Sequence, residues 1–372
     1  MYTDLFTAIK DSNLFEARSA LDLLLEDGVE PWAIHEALFP IIHGVLNPPF
    51  INPHLPKMYA INRELVSYME PEDVALLLRL EVEEYTWREK SHLHAKPISI
   101  PTINDFTEVE KAIARADVIA TAIALNAFLQ AAGSTLLAKK LLLLGSGYLN
   151  SSLGHSISCT AFILLEMIYR KDEDPWPVMV SLAEYFCKGN FHQSQLLHYS
   201  AISDYPEVYL NDVKRAISGK GIVALHHTIT LYAIERSRHF FEHQEYDHAL
   251  TTWIRMLGDK QESLYPIEEI ASYSLPDFDV FFEVFTQYDP ILVLNMFKTA
   301  LSSEQERTQL GRFLIKAVLR CYNGQYNPHF LTGLGALLWI LDRFHDHPII
   351  VLNGSLQYLD FFFSNVGHRS TE

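Results

Sequence analysis

Histidine is the residue type whose number and spacing in this chain invite chemistry. There are 17 among 372 residues. Four stand at or near the head of an apolar, helix-like stretch: His54 in HLPKMYAINREL, His155 in HSISCTAFILLE, His227 in HTITLYAIERSR and His329 in HFLTGLGALLWI. Six residues after each comes a small residue: Ala60, Ala161, Ala233 and Gly335. Seven residues after comes an apolar one: Ile61, Phe162, Ile234 and Ala336. Seven residues is close to two helical turns, so each histidine crowns a stripe on one face. The small residue beside the stripe would let a second helix approach closely. Neutral imidazole is a good ligand for iron, zinc, copper and nickel, and helical bundles build such sites from inward-facing side chains. Four imidazoles would leave one or two positions of an octahedral ion open. The competing reading is four core histidines, each bonded to a carbonyl or a water. That is the usual state of a single histidine on an apolar face, and the shared register argues against it. His226 adjoins His227, but only His227 fits the plus-six register, so the expected ligands are His54, His155, His227 and His329. His35 and His43 could line the same cavity, although packing or a surface role is the expectation. His192, His198, His239, His243, His248, His345 and His347 read as solvated or loop-borne.

The spacing carries a second signal. His54 to His155 is 155 − 54 = 101 residues, and His227 to His329 is 329 − 227 = 102. Met58-Tyr59-Ala60-Ile61 matches Leu231-Tyr232-Ala233-Ile234, and an arginine, Arg63 or Arg236, follows two residues later. A diverged duplication would explain this, with halves near 1–200 and 201–372.

Such residues need elements to position them, and the chain reads as all-α. Apolar spacing of three and four predicts helices over Phe15–Leu25, Pro31–Val45, Thr107–Gln130, Thr135–Leu144, Ser152–Arg170, Pro177–Cys187, Glu207–Ile217, Ile222–His243, Tyr246–Leu257, Pro290–Ser302, Glu304–Cys321, Pro328–Phe344 and Ser355–Phe363. Pro71-Glu72-Asp73 marks another helix start. Strand-like alternation is nearly absent. Asp27-Gly28, Asn323-Gly324 and Asn353-Gly354 therefore read as turns between helices. Connectors such as Asn47-Pro48-Pro49 are short, so one large multi-helix domain, 1–372, is expected. Glu81–His94, with Trp87, His92 and His94, reads as a helix end and an exposed loop.

Composition excludes several functions. The net charge is −17 with no basic run, which argues against a nucleic-acid partner. The apolar stretch Leu331–Leu341 is too short for a membrane span of about 20 residues, and the N-terminus lacks the pattern of a signal peptide. Cys159, Cys187 and Cys321 form no CxxC pair, so free thiols in a reducing, cytoplasmic setting are expected. No GxSxG elbow, P-loop, dinucleotide-binding glycine fingerprint or HExxH occurs. ExxH spacing occurs at Glu89–His92 and Glu245–His248, but in charged stretches that read as solvated loops rather than as a di-iron pair. Glu166, eleven residues after His155, could support the site as a buried acid, or could simply be ion-paired. Oligomeric state is not legible.

In these segments the chain resembles the questin oxidase-like family. The resemblance is carried by Asn52-Pro53-His54-Leu55-Pro56 with the later Glu70-Pro71-Glu72, by the His155 stretch with Ala161, and by the late segments at His227 and His329-Phe330-Leu331-Thr332. It implies an all-helical oxygenase using non-haem iron (or another divalent transition metal) on an aromatic, polyketide-type substrate. His54, His155, His227 and His329 would take the ligand positions, and a carboxylated lysine would complete the sphere. Lys316, Lys220 and Lys57 are the nearby lysines. Lys316 shares a face with Arg312 and Arg320, which suggests a solvated basic stripe. NADPH as reductant is suggested by the resemblance alone. Two other expectations remain: a non-catalytic helical protein that binds an apolar ligand or a partner, with structural histidines, and a metal-assisted hydrolase.

Overall fold

A computed structural model describes residues 1–91, 95–98, 102–193, 206–258, 263–324 and 326–366, with the side chains of 206–208 set aside. Among them are twenty α-helices and three 3-10 turns. Among the described residues the only extended pairings are the isolated bridges Val45–Lys90 and Asn47–Phe50. The chain is all-α, as its periodicity requires. No helix among the described residues is long and apolar enough to cross a membrane.

Local signals set most boundaries. The helix Pro71–Trp87 starts with proline in its first turn and a capping box between Glu70 and Asp73. The helix Glu304–Arg320 is capped by Ser303. Where expectation and structure differ, a cap or a break explains it. The stretch from Thr107 divides into Thr107–Ala114 and Val118–Ala132, because Ala116 takes a positive φ and Asp117 caps the second helix. The stretch from Pro31 divides at Leu38, just before Pro40. The helix expected to reach His243 ends at Arg236, and the charged residues Glu242 and Glu245 are a capping box opening His243–Leu257. Asn353-Gly354 is no turn: both lie inside Pro348–Asn365, where the Asn353 side chain bonds Ile349 O and the Tyr265 amide. Helices Thr3–Lys10 and Phe278–Phe285 were not anticipated. His92 and His94 lie outside the described residues.

Four helices form the centre: His54–Leu65, His155–Tyr169, Gly221–Arg236 and His329–Arg343. The first packs on the second and fourth, and the third packs on the same two, closing a ring. All four run in the same direction. Their histidines meet at one end, and two turns further in Ile61, Tyr232 and Gly335 meet again. A Cβ on Gly335 would stand 2.8 Å from Ile61 and 3.4 Å from Tyr232. At the same depth the Phe162 and Tyr232 rings lie 4.9 Å apart. Gly335, the small residue of the His329 stretch, thus serves close approach. A parallel ring requires the chain to return on the outside after each member, which the remaining helices do. One continuous hydrophobic core results, in which each fully buried Ile, Leu or Phe stabilises by roughly 1.5–3 kcal/mol.

Candidate metal centre

Three of the four central helices begin with the histidine itself: His54, His155 and His329 are first residues. Their ligand nitrogens all lie within 4.8 Å of one another, and all three side chains are buried. The fourth helix begins at Gly221, a turn earlier, so the inward residue is its sixth, His226. His226 Nε2 lies 3.0 Å from His155 Nε2 and 3.0 Å from His329 Nε2, and His54 Nε2 lies 2.7 Å from His155 Nε2.

His227 therefore does not join the cluster. One residue along a helix is a rotation of about 100°, which turns His227 away from the cluster; its backbone carbonyl accepts from Trp253 Nε1. The plus-six register assumed that each histidine opens its helix, and that holds for three of the four. No local pattern separates His226 from His227, because this helix is apolar on nearly every face: Leu225, Ile229, Leu231, Tyr232 and Ile234 are all buried.

The second ring nitrogen of each histidine fixes where its proton sits. His155 Nδ1 is 2.7 Å from Ser152 O, His226 Nδ1 is 2.8 Å from Ile222 O, and His329 Nδ1 is 2.8 Å from Asn327 Oδ1. Carbonyl oxygens only accept, so these three Nδ1 atoms carry hydrogen and the three Nε2 atoms turn lone pairs toward one another. His54 is held in the opposite sense. Asn47 Oδ1 accepts from Arg88 Nη1 at 2.5 Å, so Asn47 Nδ2 faces His54 Nδ1 at 3.2 Å and donates to it. In the metal-free cluster the His54 Nε2 hydrogen then points at His155.

Protonation does not relieve the convergence of lone pairs. Burial, reinforced by the neighbouring histidines and Lys57, holds His54, His155 and His329 well below the usual imidazole range, and burial holds His226 at about 3. At neutral pH all four are uncharged. A transition-metal ion fits instead. Two nitrogens, each about 2.1 Å from one ion and at right angles, stand about 3 Å apart, the spacing of His226 to its two neighbours. Nδ1–H bonds to carbonyl oxygens are also the outer support that metal-bound histidines use.

The cluster floors a cavity of about 420 Å³. Phe50, Ile51, Leu153, Phe191 and Ile222 supply apolar walls, and Asn47, Asn52, Ser151, Ser152 and Lys188 supply polar groups. Below it, one turn after His54, lies Lys57, fully buried, with no hydrogen-bond partner for Nζ and its pKa lowered by burial. The other two lysines lie elsewhere: Lys316 is near Asp73 and over the Phe278 ring, and Lys220 is exposed near Asp360.

The remaining candidates are structural. Glu166 is clamped by Arg63 and Arg170, which pull its pKa down against burial. His35 pairs with buried Glu81 and stacks on Trp32 and Tyr59. His43 is buried outside the cluster cavity, with a pKa lowered to about 3. His248 is not loop-borne: it is buried in the helix His243–Leu257, with Nε2 2.8 Å from Ser146 Oγ. The cysteines are free thiols.

Comparison with protein-family models, with curated proteins and with solved structures finds no match.

Proposed function

We propose that this protein is a metal-dependent oxidoreductase of the questin oxidase-like kind, with iron held by His54, His155, His226 and His329, that oxidises an aromatic substrate. The observation that carries the reading is the convergence of three unprotonated Nε2 lone pairs in a buried site whose Nδ1 atoms are already engaged. Structural histidines gain nothing from that arrangement, because lone pairs 3.0 Å apart repel unless a cation lies among them. Iron in such a set supplies open positions for dioxygen or substrate and Lewis acidity.

The chain's own residues do the rest. Ser152, Ile222 and Asn327 hold three rings in the ligating tautomer. Arg88, through Asn47, orients the fourth. Phe50, Phe191, Leu153 and Ile222 offer flat apolar walls to an aromatic ring and limit water beside it. Lys57 is the lysine that the resemblance requires near the histidines. Burial favours its uncharged amine, the form that takes up carbon dioxide to become a carboxylated ligand. A reductant such as NADPH would act from outside, since no nicotinamide fingerprint is present.

The test is metal analysis after anaerobic reconstitution with ferrous iron. About one equivalent should bind to the wild type and to His227→Ala, and it should be lost in His155→Ala and His226→Ala. Oxygen uptake with a hydroxylated aromatic substrate, with and without NADPH, should then follow metal content. Folded wild-type protein that binds no metal would overturn the reading in favour of structural histidines. Bound metal with hydrolysis and no oxygen uptake would favour a hydrolase.

A further inference from the structure

The charge around the cavity runs against the charge of the chain. Acidic residues outnumber basic ones 46 to 29, yet no Asp or Glu is among the described residues lining the cavity, and Lys188 in its wall is already paired with Glu184 at 2.6 Å. Three buried glutamates are held by partners of their own: Glu166 by Arg63 and Arg170, Glu81 by His35 and Asn62, and Glu84 by Arg88. The four ring helices are parallel, of 12, 15, 16 and 15 residues, and all turn their N-terminal ends to the cavity. Their aligned dipoles put partial positive charge there. One helix, Trp176–Gly189, brings its C-terminal end, and its last turn carries Lys188. Four neutral imidazoles offset none of this. A divalent ion adds two positive charges, and even a carboxylated Lys57 would leave one uncompensated in a site of low dielectric.

We propose that the cavity takes its organic ligand as an oxygen anion, a phenolate or carboxylate carried on an apolar body, with the anionic oxygen at the metal and at the helix N-termini. The inference rests on the metal reading above and deepens it. The metal and the helix ends favour the negative oxygen, while Phe50, Phe191, Leu153 and Ile222 receive the apolar body. A neutral ligand of the same shape would fill the same walls and leave the positive charge unanswered.

The probes are 4-nitrophenol, 4-nitrobenzoate and the neutral isostere 4-nitroanisole, titrated into zinc-loaded protein whose metal content has been measured first. Zinc is redox-silent, so binding is read without turnover. At a pH where free 4-nitrophenol is mainly protonated, binding should bring up the phenolate absorption band. Phenolate or benzoate should bind at least about tenfold more tightly than nitroanisole, roughly one charge-assisted contact. Which anion binds more tightly separates phenolate from carboxylate ligands. Protein that holds zinc yet binds nitroanisole as tightly as both anions, with no phenolate band at saturation, overturns this inference alone. Protein that holds no zinc overturns the metal reading and this inference with it.

Discussion

Acidifying the metal-free protein from about pH 7.5 to about pH 5 should remove several kcal/mol of stability, and the size follows from its buried imidazoles. Burial holds His43 and His226 at a pKa of about 3, whereas in an unfolded chain each would titrate near 6.5. Between those values the unfolded chain binds more protons than the fold, so stability falls with pH. The contribution is whole above about pH 6.5 and is lost progressively toward about pH 3. At about pH 5 each group has lost roughly 1.5 pH units' worth, about 2 kcal/mol, so the pair loses about 4 kcal/mol. His54, His155 and His329, also lowered by burial, push in the same direction. Total stability is typically about 5–15 kcal/mol, so the loss is large. At about 2.1 cal/mol/K of unfolding entropy per residue over 372 residues, about 4 kcal/mol lowers Tm by about 5 °C. Differential scanning calorimetry of chelator-treated protein measures it. His43→Phe should remove about half of the drop assigned to this pair. Added metal, which occupies the cluster, should flatten the curve and raise Tm. A Tm level across this range in metal-free protein, unchanged by His43→Phe, would refute the claim that the fold buries neutral imidazoles.

Three further outcomes are expected. Asn47→Asp would place an acceptor beside His54 Nδ1, draw the ring hydrogen there and free Nε2; metal affinity, read by competition with a chromophoric chelator, should rise about tenfold, and a weaker site would contradict the tautomer assignment. Gly154 has φ +78°, and a Cβ there would meet Thr230 Oγ1 at 1.8 Å; Gly154→Ala should cost about 2–5 kcal/mol in urea unfolding and, by displacing His155, lower bound metal, whereas wild-type stability would show that the close approach is not real. Glu166→Ala removes the buried carboxylate shared by Arg63 and Arg170, leaving them the half-exposed Glu36 and the Tyr59 hydroxyl, and should cost about 3 kcal/mol with metal content unchanged; loss of metal at wild-type stability would instead make Glu166 part of the site's support.

The helical class was legible because apolar spacing is a local property that repeats along the chain. Caps refined it where sequence signals compete: Asp117 and Glu242 fall inside helices expected from apolar spacing and act as helix starts by hydrogen bonding. Three of the four cluster histidines were legible because each opens its helix and shares one register downstream. The fourth was misplaced by one residue because its helix starts a turn earlier. Lys57 could be named only as one of three lysines, since burial is not written in the residues beside it.

What the sequence alone determined was therefore local: helices, their apolar stripes, the small residues that permit close packing, and the histidines at their heads. What tertiary structure decided was convergence. The parallel ring brings residues as distant in sequence as His54 and His329 together, selects His226 over His227, assigns each ring its tautomer through Asn47, Ser152, Ile222 and Asn327, and buries Lys57 beneath them. The reason is geometric. Helix periodicity fixes a side chain's direction only relative to its own axis, and the direction that matters for a ligand is set by where four separate axes are packed.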